Sequence, residues 1–144
     1  MGLFYMELTR DEKTALSDLR FQKSNEMFED ALFNLKSKRF KTSANRSYYS
    51  VYHAARSLLI LKGIDPAKHD GVKTMFSLHF VKDKTVNLET GKIYQELMSL
   101  RNEADYDDFS EVTEPEAKRA VEIARKFIKT IDKIRQLLIK QINK

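Results

Sequence analysis

Apolar residues recur along this chain every three or four positions, the period of an amphipathic α-helix, and nowhere alternate as a half-buried strand requires. The first such segment runs from Thr9 to Ser37. Thr9 and Glu12 form the Thr-x-x-Glu pattern of a capping box, and Leu16, Leu19, Met27, Ala31, Leu32 and Leu35 follow at helical spacing. The middle, Gln22 to Asn25, is weakly apolar; the spacing still predicts one long helix rather than two. The second helix is predicted from about Thr42 to Lys62, with Gly63 as a left-handed stop. Tyr48, Val51, Ala55 and Leu58 make one stripe on it, and Tyr49, Tyr52 and Leu59 a second beside it. A helix apolar over so much of its circumference belongs at the centre of a bundle.

"IDPAKHDG" reads as a loop, because Pro66 disfavours helix at Asp65 and Gly71 relaxes the backbone. "VKTMFSLHFV" reads as a short helix with Val72, Met75, Phe76, His79 and Phe80 on one side, and "KDKTVN" as a turn. Asn87 caps a helix from Leu88 to about Asp108, striped by Ile93, Leu97, Leu100 and Ala104. The last helix opens on Thr113, with Pro115 in its first turn and Glu116 completing a second capping box. Its Ala117, Ala120, Ala124, Phe127, Ile131, Ile134 and Leu138 alternate steps of three and four, a heptad seam. Such a seam serves either the chain's own core or a dimer interface, and the pattern alone does not choose. The predicted fold is all-α: an antiparallel bundle of four long helices plus a short inserted helix, forming a single domain over residues 1–144.

Composition narrows the class. A chain of 144 residues buries roughly 70% of its unfolded surface and needs no disulfide or metal staple. It has no cysteine, which removes disulfides, thiol catalysis and Cys-ligated zinc and fits a reducing compartment. No apolar run approaches the ~18 residues of a membrane span. The start, "MGLFYMEL", lacks the basic and apolar regions of a signal peptide, and Met6 stands where a myristoylation signal needs Ser or Thr. The expected location is the cytoplasm. Net charge is +5 and uneven: from Ala117 onward nine Lys and Arg face only Glu122 and Asp132. A basic helix attracts phosphate backbones, but cations toward a helix C-terminus also simply complement the macrodipole.

Two stretches carry candidate chemistry. In "SLRNEADYDDF", Ser99 to Phe109, Arg101 falls at the border of the apolar stripe, Asp105 lies four residues on and within its reach, and Asp108 adds negative charge on that side. Tyr106 points nearly opposite the stripe. Arg101 with Asp105 reads as a polar site or as a structural ion pair worth about 0–1 kcal/mol. In "NRSYYSVYHAAR", Asn45, Arg46, Tyr49, His53 and Arg56 share one side of the second helix. His53 is suited by its pKa range to acid–base work, or is a satisfied histidine in a buried helix. His69 and His79 are too far apart for a helical ligand pair and there is no His-Glu-x-x-His, so no metal site is predicted. The scattered glycines form neither a P-loop nor a dinucleotide fingerprint, and no Gly-x-Ser-x-Gly elbow occurs. No cofactor is implied.

Three blocks in order, "ANRSYYSVYHAARSLLILKG", "HDGVKTMFSLHFVK" and "LRNEADYDDF", resemble HEPN-domain proteins, in particular the small stand-alone prokaryotic branch. The likeness covers roughly Ser24 to Ile134. It implies a helical bundle that usually dimerises, often paired with a minimal nucleotidyltransferase in toxin–antitoxin modules. Catalytic members of the wider superfamily are metal-independent ribonucleases with an Arg-x4-6-His motif, in which Arg holds the scissile phosphate and His moves a proton. On this sequence the Arg matches Arg101 and the polar residue after it Asn102, but Tyr106 stands where the His would be and no His follows His79. A tyrosine hydroxyl, with pKa near 10, is a poor base at neutral pH, and a carboxylate beside Arg101, as Asp105 is, is a weak proton acceptor. In some such pairs the partner modifies a Tyr near the motif, a position Tyr106 matches.

The expectation is a homodimeric HEPN-type component, non-catalytic or weakly catalytic, holding nucleotide or RNA through Arg101, Asn102, Arg46, Tyr49 and His53. The first alternative is an endoribonuclease toxin in which Tyr106, Asp105 or His53 replaces the missing imidazole. The second is a purely structural dimerisation adaptor.

Overall fold

The computed structural model describes residues 7–106 and 111–144. They form α1 (Arg10–Lys36), α2 (Phe40–Leu59), a 3₁₀ turn (Ile60–Lys62), α3 (His69–Phe76), a π turn (Ser77–Val81), α4 (Leu88–Tyr106) and α5 (Glu114–Ile142). No strand element occurs among the described residues, and the all-α bundle expected from the apolar spacing is the fold. Both capping boxes form. Glu12 N–H donates to Thr9 Oγ1 at 3.1 Å and Thr9 N–H to Glu12 Oε1 at 2.9 Å; Thr113 and Glu116 repeat the exchange at 3.3 and 3.0 Å. Asn87 accepts from the Thr90 amide at 2.8 Å. Gly63 sits at φ 74°, the left-handed stop after the 3₁₀ turn.

Two boundaries differ from expectation. α2 begins at Phe40, two residues early. α3 begins at His69 rather than beyond Gly71, with Lys68 as its extended N-cap. Gly71 costs about 1 kcal/mol inside a helix, which burial of Val72 and Phe76 on the same short helix offsets. The end of α4 foreseen near Asp108 lies outside the described residues, as does Asp108 itself.

α2 is the central helix. Tyr48, Val51, Ala55 and Leu58 are fully enclosed, with α5 and α4 against them. The heptad seam of α5 is consumed by this core: Ala117, Ala120, Ala124, Phe127 and Ile131 are buried within the chain, and Ile134 and Leu138 pack beside them. The chain's own core thus takes up the first five positions of the seam, and Ile134 and Leu138 stay partly exposed.

The α1–α2 contact is built differently from its apolar pattern. The residues α1 buries are Ser17, Ser24 and Ala31, seven apart, while Leu19 stays exposed. Ser17 donates to the Ser57 carbonyl at 2.7 Å and Ser24 to the Ser50 carbonyl at 2.5 Å. Ser43 of α2 returns a bond to the Ala31 carbonyl at 2.8 Å. Small side chains let the two helices approach closely, and each buried hydroxyl satisfies itself on a backbone carbonyl rather than being stranded. Ser17 and Ser24 in the α1 sequence therefore mark a seam, not a solvent face. At the far end, Gly91 lets α4 pass under the π turn: a Cβ there would lie 3.1 Å from a Val81 methyl.

Candidate functional site

Burial of Leu97 and Ala104 seats α4 in the core and leaves Arg101, between them, facing the tyrosine stripe of α2. Its guanidinium is held from several sides. Nη2 donates to Tyr49 Oη at 2.9 Å, Nη1 to Asn102 Oδ1 at 3.1 Å, and Nε lies 2.9 Å from Asp105 Oδ2. The plane also sits over aromatic faces, 5.6 Å from the Tyr48 centroid and 5.5 Å from that of Tyr49, a cation–π arrangement. The polar chain continues outward: Asn45 donates to Asp105 at 3.4 Å, Arg46 to Asn45 at 2.7 Å, and Arg46 reaches Asp30 of α1 at 3.6 Å.

The loop after Gly63, turned by Pro66, folds the start of α3 back over α2. His69 stacks on Tyr52 at 4.5 Å between centroids and meets Tyr49 edge-on at 5.5 Å. Its Nδ1 lies 3.3 Å from Tyr48 Oη. Tyr49, His69, Arg101 and Asn102, with Lys68, Asp70 and Met98, line one cleft of about 370 Å³. Burial lowers the pKa of His69, and the nearby Arg101 charge lowers it further against the opposing pull of Asp70; the imidazole is neutral at neutral pH. Burial pushes Tyr48 up to about 12 and raises Tyr52 and Tyr94 as well. These three phenols act as fixed hydroxyls, not as bases.

His53 belongs to the core. Its residue is 7% exposed, and its Nδ1 finds no hydrogen-bond partner among the described residues. Burial brings its pKa down to about 4, aided by the charges of Lys23, Arg56 and Arg20. It touches Tyr52 and Tyr49 but does not line the Arg101 cleft. Arg56 is engaged elsewhere, with Arg20, on Asp65 at 3.4 and 3.1 Å.

Of the residues singled out from sequence, the fold thus brings together Arg101, Asn102, Asp105, Tyr49 and Asn45, with Arg46 at the margin. It leaves His53 behind them. Tyr106 is the last residue of α4, and its side chain lies outside what the structure describes. His69, Lys68 and Tyr48 were missed as site residues. His69 is 32 positions from Arg101 in the chain, so no helical spacing links them. The sequence signals were the Pro66 turn and the place of His69 at the head of the second of the three blocks that carry the family resemblance. Among the described residues no group of three His, Asp or Glu is placed to hold a metal ion, and no helix is long and apolar enough to cross a membrane.

The fold and site are those of an all-α bundle with an arginine facing a tyrosine-rich central helix, and the chain belongs to the HEPN domain family, whose model matches residues 17–134. It is 32% identical over 124 residues to the UPF0332 protein of Thermotoga maritima, covering 86% of this chain and 94% of that one. Two proteins of Methanocaldococcus jannaschii, each bearing the name "Putative toxin", are also similar. One is 32% identical over 124 residues, covering 86% of this chain and 89% of its own length. The other is 33% identical over 118 residues, covering 82% and 78%.

Proposed function

We propose that this HEPN protein is the nucleotide- or RNA-holding component of a toxin–antitoxin-type module, homodimeric and partnered by a nucleotidyltransferase, with the Arg101 cleft as its phosphate site. The observation that carries the reading is the convergence of Arg101 and Lys68 from two different elements on one cleft. A guanidinium offers a phosphate a paired set of donors, and an ammonium adds a point charge. Tyr49 and Asn102 already fix Nη2 and Nη1, so little side-chain freedom is lost when an anion replaces Asn102 as acceptor. The names borne by two of the relatives support the toxin-type setting. The test is a titration of ATP and short RNAs against the wild type and Arg101→Ala. Loss of binding by about tenfold or more in the variant is expected, since charge-assisted contacts contribute about 1.5–3 kcal/mol. An Arg101-insensitive result favours the structural adaptor.

One observation favours the ribonuclease as a second reading: His69 puts a neutral imidazole in the same cleft as Arg101. It is better placed for proton transfer than Asp105, which is tied to Arg101 at 2.9 Å, or His53, which is enclosed. Metal-free cleavage of structured RNA that is abolished by His69→Gln while RNA binding persists would select this reading. Binding without cleavage selects the first.

A further inference from the structure

A broad concavity lies away from Arg101, at the corner where the π turn, the loop 82–87 and α5 meet. A groove of about 900 Å³ there runs into a second of about 510 Å³ through the shared Val81 and Lys82. Its floor and walls are apolar: Val81, Val86 and Ile134, with Leu78 and Leu88 standing exposed at either end. Its rim is cationic. Lys73, Lys82, Lys84 and Lys133 border it, and no acidic residue lines it. None of the four lysines forms an ion pair among the described residues, whereas nearby Lys62 is paired with Asp83 at 3.6 Å.

Lys84 holds φ 66°, in the left-handed region, where the chain closes after the π turn: its amide donates to the Val81 carbonyl at 3.0 Å, as that of Lys38 does to Leu35 at the end of α1. This closure places the Lys84 side chain on the rim.

We propose that this groove docks an amphipathic helical segment of a partner protein whose apolar face fills the Val81–Ile134 floor and whose acidic flanks meet the four lysines. The shape argues for a helix over other anions. A concave apolar floor between exposed leucines takes rows of side chains spaced three and four apart. Nucleic acid would satisfy the lysines and leave the floor wet, and a bilayer needs a surface that projects rather than recedes. The cations supply steering and register, the floor supplies affinity.

The test uses the full chain and a fluorescein-labelled helical peptide with Leu at positions i, i+3, i+4 and i+7 and Glu elsewhere. Its controls are a peptide of the same composition with the leucine period scrambled, phosphatidylglycerol vesicles and polyuridine RNA. Anisotropy should show the amphipathic peptide binding at least about tenfold more tightly than the scrambled one, with a comparable loss for Lys84→Glu/Lys133→Glu. Leu88→Ser should weaken binding without changing its salt dependence, since it removes only apolar contact. Circular dichroism of each variant is the control for folding. Equal binding of the two peptides, peptide binding indifferent to both the charge reversals and Leu88→Ser, or vesicles or RNA held by the same lysines more tightly than the peptide, would each overturn the assignment.

Discussion

Acidification should loosen this bundle well above the range in which its carboxylates titrate, and His53 is the reason. In the folded chain its pKa is brought down to about 4, against an ordinary value of about 6.5. Between those values the unfolded chain binds a proton that the folded chain refuses, so stability is full above pH 6.5 and falls as pH drops toward 4. The whole gap corresponds to about 3 kcal/mol, of which about 2 kcal/mol is lost between pH 7 and pH 5. For a chain of this length that is a fall in Tm of about 6 °C. His69, also lowered, acts with the same sign. The carboxylates with lowered values, Glu96 among them, exert their effect below the pH 5–7 window. Urea unfolding followed by circular dichroism at pH 7 and pH 5, at constant ionic strength, measures the loss. His53→Met keeps a similar volume without a titrating group, and because Nδ1 has no partner to lose among the described residues, it should cost less than about 1.5 kcal/mol at pH 7. The variant should lose markedly less stability than the wild type on going to pH 5. Equal losses in the two proteins would refute the assignment of the pH dependence to His53.

Ser24 is fully enclosed and bonded at 2.5 Å to the Ser50 carbonyl; Ser24→Ala should cost about 1 kcal/mol and Ser24→Leu about 1–3 kcal/mol through overpacking, both read from denaturant midpoints. Thr113→Ala removes the side chain that accepts from the Glu116 amide and should cost about 1 kcal/mol, seen as earlier unfolding of α5 by hydrogen exchange. Asp105 neutralises Arg101 at 2.9 Å, so Asp105→Asn should tighten ATP or RNA binding by about fivefold, equivalent to about 1 kcal/mol; unchanged affinity would show that Asp105 does not compete with the ligand.

The long helices were legible because their signals are local. Thr9 with Glu12 and Thr113 with Glu116 state their own caps, Gly63 its own stop, and the α2 stripes their own burial. α1 was legible as a helix but not by face. A hydropathy pattern treats Ser17 and Ser24 as polar and Leu19 as apolar, whereas close helix contact rewards small volume and a hydroxyl that reaches a carbonyl. Arg101 and Asp105 could be paired from spacing alone. His69 could not be placed beside them, because its position depends on how a loop containing Pro66 returns across α2, a tertiary property with no sequence period. The burial of His53 is undecided from sequence for a related reason: helix phase puts it beside Tyr49, but its enclosure comes only with the packing of the whole bundle.

The serine seam also governs how the bundle responds to cold. Apolar burial weakens as temperature falls, because its driving force near room temperature is entropic, whereas hydroxyl–carbonyl bonds such as those from Ser17, Ser24 and Ser43 do not depend on that ordering of water. Cooling therefore weakens the Phe- and Leu-filled centre while leaving these three bonds between the first two helices in place, although Phe21 and Phe28 tie α1 to the same apolar cluster.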